Sequence, residues 1–266
     1  MAVTSFPYTT FDEPEVNPPG RSVRDRLVPP MRGSLLWGWL GPLLVTVFGG
    51  ILRFMNLGHP KAVVFDETYY AKDAFSLINW GVERVTVKDA DKLLIAGNTN
   101  IWKQCAPDKI SECASYVVHP PLGKWMIGLG EQLFGMTPFG WRVASAVFGT
   151  LAILVLARVA RRMTRSTLLG CFAGLLLALD GLEYVLSRTA LLDIFLMFWV
   201  LAAFACLVVD RDRARERLVD WYETSPLSPQ GPWLGMRPWR IAAGVCLGLA
   251  MGVKWSGVFF LAAFAI

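Results

Sequence analysis

From Leu35 to Leu57 the chain carries one charged residue, Arg53, in a stretch long enough to cross a bilayer at about 1.5 Å per residue. Similar apolar runs follow at about Trp141 to Val159, Thr167 to Val185, Leu191 to Val209 and from Trp239 onward. Five such runs constrain the fold more than any other feature, because a backbone surrounded by lipid must satisfy its own hydrogen bonds. They predict an all-α polytopic membrane protein. Composition agrees: 54% of the 266 residues are hydrophobic, too many for an ordinary soluble domain.

The net charge of +5 and pI near 9.0 would suit a nucleic-acid surface if the basic residues formed one patch. Instead the arginines gather in three polar segments: Arg21, Arg24, Arg26 and Arg32; Arg158, Arg161, Arg162 and Arg165; and Arg211, Arg213, Arg215 and Arg217. That is the positive-inside pattern, so no nucleic-acid partner is expected and all three segments are placed in the cytoplasm. The division that follows is a disordered tail over 1–33 and a first span over 34–57 with Arg53 snorkelling at its outer end. An extracytoplasmic segment occupies 58–140, and four further spans occupy 141–266, interrupted by an arginine-rich loop at about 210–240. Asp180 and Glu183 give the third span a polar outer end. The chain stops inside an apolar run, which reads as the amino-terminal part of a larger protein, inactive alone.

Within 58–140, two stretches have helical periodicity. Tyr70, Ala71, Ala74, Phe75 and Ile78 share a face between Glu67 and Trp80. Leu122, Trp125, Met126, Leu129 and Leu133 do so between Leu122 and Phe134, with Lys124 and Glu131 opposite. Both suit helices lying flat on a membrane. The polar stretch Gly81 to Val118 reads as an irregular loop. Its two cysteines, Cys105 and Cys113, lie on the side where an oxidising compartment would allow a disulfide. Two thiols without nearby histidines make a weak metal site. Cys171, Cys206 and Cys246 fall within apolar runs and behave as small hydrophobes.

Asp66 and Glu67 follow Val63-Val64-Phe65, shortly after the chain leaves the first span. One reading is a helix start, with Asp66 as cap and Glu67 favoured by the helix dipole. The other is chemistry, and since adjacent helical residues do not share a face, the two carboxylates would then have different tasks. His119-Pro120-Pro121-Leu122-Gly123-Lys124 is a rigid helix start that also holds a histidine and a cation where a lipid phosphate would lie. Arg142, Arg188 and Asp193 sit near outer span ends, and Lys254 lies well inside the fifth span. Ionisable groups at such depths are functional candidates, with snorkelling or an Arg188–Asp193 pair as the structural account. Lys254 needs a partner: a lipid phosphate, Asp180, Glu183 or a further helix.

Val64-Phe65-Asp66-Glu67-Thr68-Tyr69-Tyr70, the His119 to Lys124 motif, Ser187-Arg188-Thr189-Ala190-Leu191-Leu192-Asp193 and Gly248 to Gly257 occur in one order and spacing. In these the chain resembles the protein O-mannosyltransferase family, its actinobacterial branch in particular. The resemblance implies a membrane glycosyltransferase of GT-C architecture that moves mannose, with inversion, from polyprenyl phosphate mannose to serine or threonine. The acceptors would be secreted proteins met during translocation across the plasma membrane. It implies Asp66 as base, Glu67 as its support and Arg142 as an active-site arginine. His119, Lys124, Arg188, Asp193 and Lys254 follow as phosphate-binding or architectural residues, with no cofactor and no essential metal. Another GT-C transferase of lipid-linked sugars, or a transporter, is the alternative. A transporter would show internal repeats with paired broken helices, and none is seen in these spans.

Overall fold

The computed structural model describes residues 22–31, 33–106, 109, 112–224 and 231–265. The described residues form eleven helices and, apart from isolated bridges, no strands: α1 (Val23–Leu27), α2 (Trp37–Phe54), α3 (Glu67–Trp80), α4 (Ala90–Ile95), α5 (Leu122–Phe134), α6 (Pro138–Thr164), α7 (Thr167–Leu179), α8 (Gly181–Leu186), α9 (Leu192–Thr224), α10 (Pro238–Val253) and α11 (Gly257–Ala265). Three of them, α2, α6 and α9, are long and apolar enough to cross a membrane. This is a membrane protein.

The spans differ in detail from the periodicity reading. α7 has 13 residues, about 20 Å, less than the roughly 30 Å of hydrocarbon. It stops at Asp180, whose carboxylate accepts a hydrogen bond from the Glu183 N–H at 2.8 Å and so caps α8. α9 does not end near Val209 but continues to Thr224, so the first part of the expected 210–240 loop is helical. The charges there are interspersed with aspartates that meet arginines, and a helix tolerates them outside lipid: Asp212 is reached by Arg162 at 2.8 Å and Arg165 at 3.4 Å. The fifth span is two helices, broken at Lys254, where the backbone is extended. In the tail, residues 1–21 and Arg32 lie outside the described residues. Residues 23–27 form α1, and Arg24 bonds Asp220 and Glu223 at the far end of α9.

Two layers hold the site. In the lower one α2, α6 and α7 approach closely through small residues, the usual way helices associate without a hydrophobic drive between them. A Cβ on Gly49 of α2 would stand 2.4 Å from Ile153 Cδ1 and 3.2 Å from Ala178 Cβ. Arg53 does not snorkel. It is fully buried, donates to the Gly49, Ala178 and Leu177 carbonyls, and forms an ion pair with Glu183.

In the upper layer α3 and α5 pack on each other and on the first turns of α6 and α9. The shared core includes Ala71, Ala74, Ile127, Trp141, Leu192 and Phe195. Both helices occupy the ranges their periodicity predicts. On α5, Trp125, Leu129 and Leu133 are exposed, as the apolar face of a helix lying on a membrane would be, whereas Lys124 and Glu131 are buried in protein with Met126. Glycine explains that burial: a Cβ on Gly128 would lie 2.9 Å from the Ala74 carbonyl, and one on Gly130 would lie 2.4 Å from that of Gly140. The glycine face is the one that can reach neighbouring backbone, and it takes the charged residues inside with it. Between α3 and α5 the polar stretch is more ordered than expected. It contains α4, isolated bridges Arg84 to Ala114 and Thr86 to Trp102, and a Cys105–Cys113 disulfide.

Candidate active site

Asp66 stands at the cap position of α3, but its carboxylate makes no capping bond and no other hydrogen bond among the described residues. The neighbouring Glu67 does the holding. It is fully buried, and its Oε2 accepts from the Val64 N–H at 2.9 Å, steadying the turn before the helix. Oε1 accepts from the Ala190 N–H at 3.0 Å, which ties the turn to the start of α9. Arg142, from the first turns of α6, bonds both oxygens, Nε to Oε1 at 2.7 Å and Nη2 to Oε2 at 2.8 Å. Such a two-point pair is both strong and directional.

The remaining Arg142 donors go to the loop after α2. Nη1 reaches the Leu57 and Pro60 carbonyls at 3.3 and 3.0 Å, and Nη2 reaches Ala62 at 2.8 Å. All five guanidinium N–H groups are spent on protein, and the side chain is 1% exposed. Arg142 thus stands behind the loop rather than open to a ligand, a geometry that favours positioning over direct substrate contact. The pair fixes both ends of the segment from which Asp66 projects. The residue before it, Phe65, is 82% exposed and has φ +55°, a left-handed conformation unusual for an aromatic residue.

Several polar groups converge on Asp66. Tyr70 lies one helical turn on, its hydroxyl pKa pushed up to about 12 by burial and then by Asp66, Asp193 and Asp73. Its ring centroid lies 6.1 Å from that of His119. Burial lowers the His119 pKa, with Lys254 and Lys124 adding to the effect against Asp193 and Asp66. Burial thus favours the neutral imidazole, and its buried Nδ1 has no partner among the described residues. Of the acidic side chains expected for it, Lys254 takes neither Asp180 nor Glu183. Its ammonium meets Asp193 at 2.8 Å, across from the break between α10 and α11 to the first turn of α9. Beside these groups opens a groove of about 450 Å³ whose wall includes Val118, His119, Pro121, Met251, Gly252 and Trp255.

Two other candidates lie elsewhere. Lys124 is 1% exposed and held by Glu83 at 2.7 Å and Asp73 at 3.2 Å, so it faces the protein rather than a lipid headgroup. Burial raises the Asp73 pKa, and the Lys124 charge opposes the rise. Arg188 does not pair with Asp193. It bonds the Tyr184 hydroxyl and donates to the Met55 carbonyl at 2.6 Å, joining the turn after α8 to the end of α2.

Asp66, Tyr70, His119, Asp193 and Lys254 thus form one constellation, with Glu67 and Arg142 behind it. Tyr70, Asp73 and Glu83 were not singled out by sequence. Tyr70 could have been, since it lies four residues after Asp66 and so on the same helix face. Glu83 belongs to a loop without period and gave no signal. Among the described residues no three His, Cys, Asp or Glu side chains gather as metal ligands.

The family model described as dolichyl-phosphate-mannose-protein mannosyltransferase matches residues 43–266. A polyprenol-phosphate-mannose–protein mannosyltransferase of Mycolicibacterium smegmatis strain MKD8 is 41% identical over 236 residues, 86% of this chain and 40% of that protein. One of the same name from Mycobacterium tuberculosis strain H37Rv is 40% identical over 232 residues, 85% of this chain and 40% of that protein. The chain therefore matches less than half the length of these curated relatives. The fold is similar, at a TM-score of 0.60 and 21% identity, to the S. cerevisiae protein O-mannosyltransferase Pmt1-Pmt2 complex bound to the sugar donor. That match covers 87% of this chain and 28% of the other.

Proposed function

Since the chain belongs to the dolichyl-phosphate-mannose-protein mannosyltransferase family, we propose that it acts in the transfer of mannose from polyprenyl phosphate mannose to serine or threonine of a protein. In this reading the reaction is one displacement with inversion at the anomeric carbon. The hydroxyl oxygen forms the new C–O bond, its proton passes to Asp66, and the bond from the anomeric carbon to the phosphate oxygen breaks, releasing polyprenyl phosphate. A hydroxyl is a poor nucleophile until its proton leaves, and one positioned carboxylate suits that task. The leaving phosphate gathers charge that Lys254 can offset, with neutral His119 donating a hydrogen bond. Glu67 and Arg142 act through position, and no cofactor is assigned.

The observation that carries this reading is the division of labour in the acidic pair. Glu67 accepts four hydrogen bonds and is fully buried, so its oxygens are spent, whereas the part-exposed Asp66 carboxylate has no partner. A base must reach the proton it takes, and of the two only Asp66 can. The proposed setting is the plasma membrane, with the amino terminus cytoplasmic and the site on the outer face. There the apolar carrier stays in lipid and secreted acceptors pass. The positive-inside distribution of arginines supports that orientation.

The test is transfer from polyprenyl phosphate mannose to a Ser/Thr peptide in membranes containing the full-length protein. Asp66→Asn should remove transfer at least a thousandfold while expression and melting temperature stay unchanged. Transfer within tenfold of the wild type would remove Asp66 from the mechanism.

A further inference from the structure

At the opposite, arginine-rich end of the bundle a groove of about 620 Å³ opens beside α9 and the start of α10 and also touches α11. Its inner wall is apolar, with Phe204 and Leu207 from α9 and Phe264 from α11. Its mouth is cationic, carrying Arg211 and Arg215 one turn apart on α9 and Arg237 and Arg240 at the start of α10.

These arginines are not equally occupied. Arg237 is committed to Asp210, and Arg211 to Asp212 at 2.8 Å. Arg240 is 63% exposed and only 3.7 Å from the already paired Asp210. Arg215 has no ion-pair partner among the described residues and is exposed. The mouth therefore keeps one guanidinium group, Arg215, without an acidic partner among the described residues, and a second, Arg240, exposed and held only by its 3.7 Å approach to Asp210, above an apolar trough. Depth supports the same conclusion. Counting about 20 residues of hydrocarbon crossing from Leu192 brings α9 to Arg211, so Phe204 and Leu207 lie at acyl-chain depth and Arg215 at headgroup depth.

We propose that this groove is a binding site for an anionic phospholipid, its phosphate clasped between Arg215 and Arg240 and an acyl chain lying along Phe204, Leu207 and Phe264. Guanidinium forks match phosphate oxygens, and basic pockets between membrane helices favour anionic headgroups. The site lies at the other end of α9 from Asp66 and does not depend on the proposed transfer.

Native mass spectrometry of the intact protein in a neutral detergent tests this, with phosphatidylglycerol and phosphatidylcholine added in equal amounts. Wild type should retain phosphatidylglycerol at least tenfold over phosphatidylcholine. R215Q/R240Q should lose that preference at least fivefold. L207W, which fills the trough and leaves every arginine in place, should also reduce retention at least fivefold, and glycerol 3-phosphate should not compete. Equal retention of the two lipids, indifference to the glutamine pair, or indifference to L207W would each overturn the proposal. Competition by glycerol 3-phosphate at equal concentration would overturn it too, since it would mark a site for a soluble anion.

Discussion

Removing the Arg142 guanidinium would leave Glu67 buried without its cationic partner and three loop carbonyls without that donor. Breaking one side of a buried ion pair costs about 3–5 kcal/mol, more than the pair contributes net, because the surviving charge is stranded. Arg142→Ala should therefore lower the melting temperature and abolish transfer together, whereas Asp66→Asn abolishes transfer alone. A melting scan beside the transfer assay separates the two, and an unaltered melting temperature in Arg142→Ala would contradict the positioning role. Glu131 poses a different residue-scale problem. It is 2% exposed, both carboxylate oxygens lack partners among the described residues, and burial raises its pKa well above the ordinary range. In the unfolded chain it ionises at about pH 4.3. Between that pH and its folded pKa the folded state holds the extra proton, so stability falls as pH rises, by at most about 1.4 kcal/mol per pH unit. Glu131→Gln removes the proton linkage. The melting curves of variant and wild type should coincide near pH 4 and separate toward pH 8, with the variant the more stable.

Among the elements, α5 and the α10–α11 break show what periodicity conveys and what it omits. The bounds of α3 and α5 were legible because an apolar residue every third or fourth position is a property of the segment itself. The burial of Lys124 and Glu131 on α5 was not, because that depends on Gly128 and Gly130 meeting backbone from α3 and α6. An apolar stripe facing outward also has no penalty where the surroundings are lipid. Likewise the polar step at Asp180 marked the end of α7, but the partner of Glu183 is Arg53, 130 residues earlier. Lys254 was legible as a charge needing a partner, and Asp193 became that partner only once the helix broke. The pair's side chains are 21% and 47% exposed, so its contribution to stability is small, about 0–1 kcal/mol. Lys254→Ala should then leave the melting temperature within a few degrees of wild type and raise the KM for polyprenyl phosphate mannose more than that for the peptide. The opposite split would argue against a phosphate role.

For the whole molecule, the acidic motif can work only if the upper layer rests on a rigid lower one, and the junction between them is Arg53–Glu183. This pair joins α2 to α8, one helix before the Thr189–Ala190 turn whose Ala190 N–H holds Glu67. The four motifs marked where the candidate site lies. They did not mark this support, since a lone arginine near the end of an apolar run reads as a snorkelling residue until the helices are packed. If the pair serves chiefly to join helices, its ionic character is replaceable. Arg53→Leu strands Glu183 and should cost about 3–5 kcal/mol, and Glu183→Leu should strand Arg53 by a similar amount. The double leucine variant removes both charges and fills similar space. It should recover most of that loss, so that in a double-mutant cycle the double change costs less than either single change. Transfer should follow the melting temperature across the three variants. Recovered stability without recovered transfer would instead mean that the charges themselves act on the site, about one helix away.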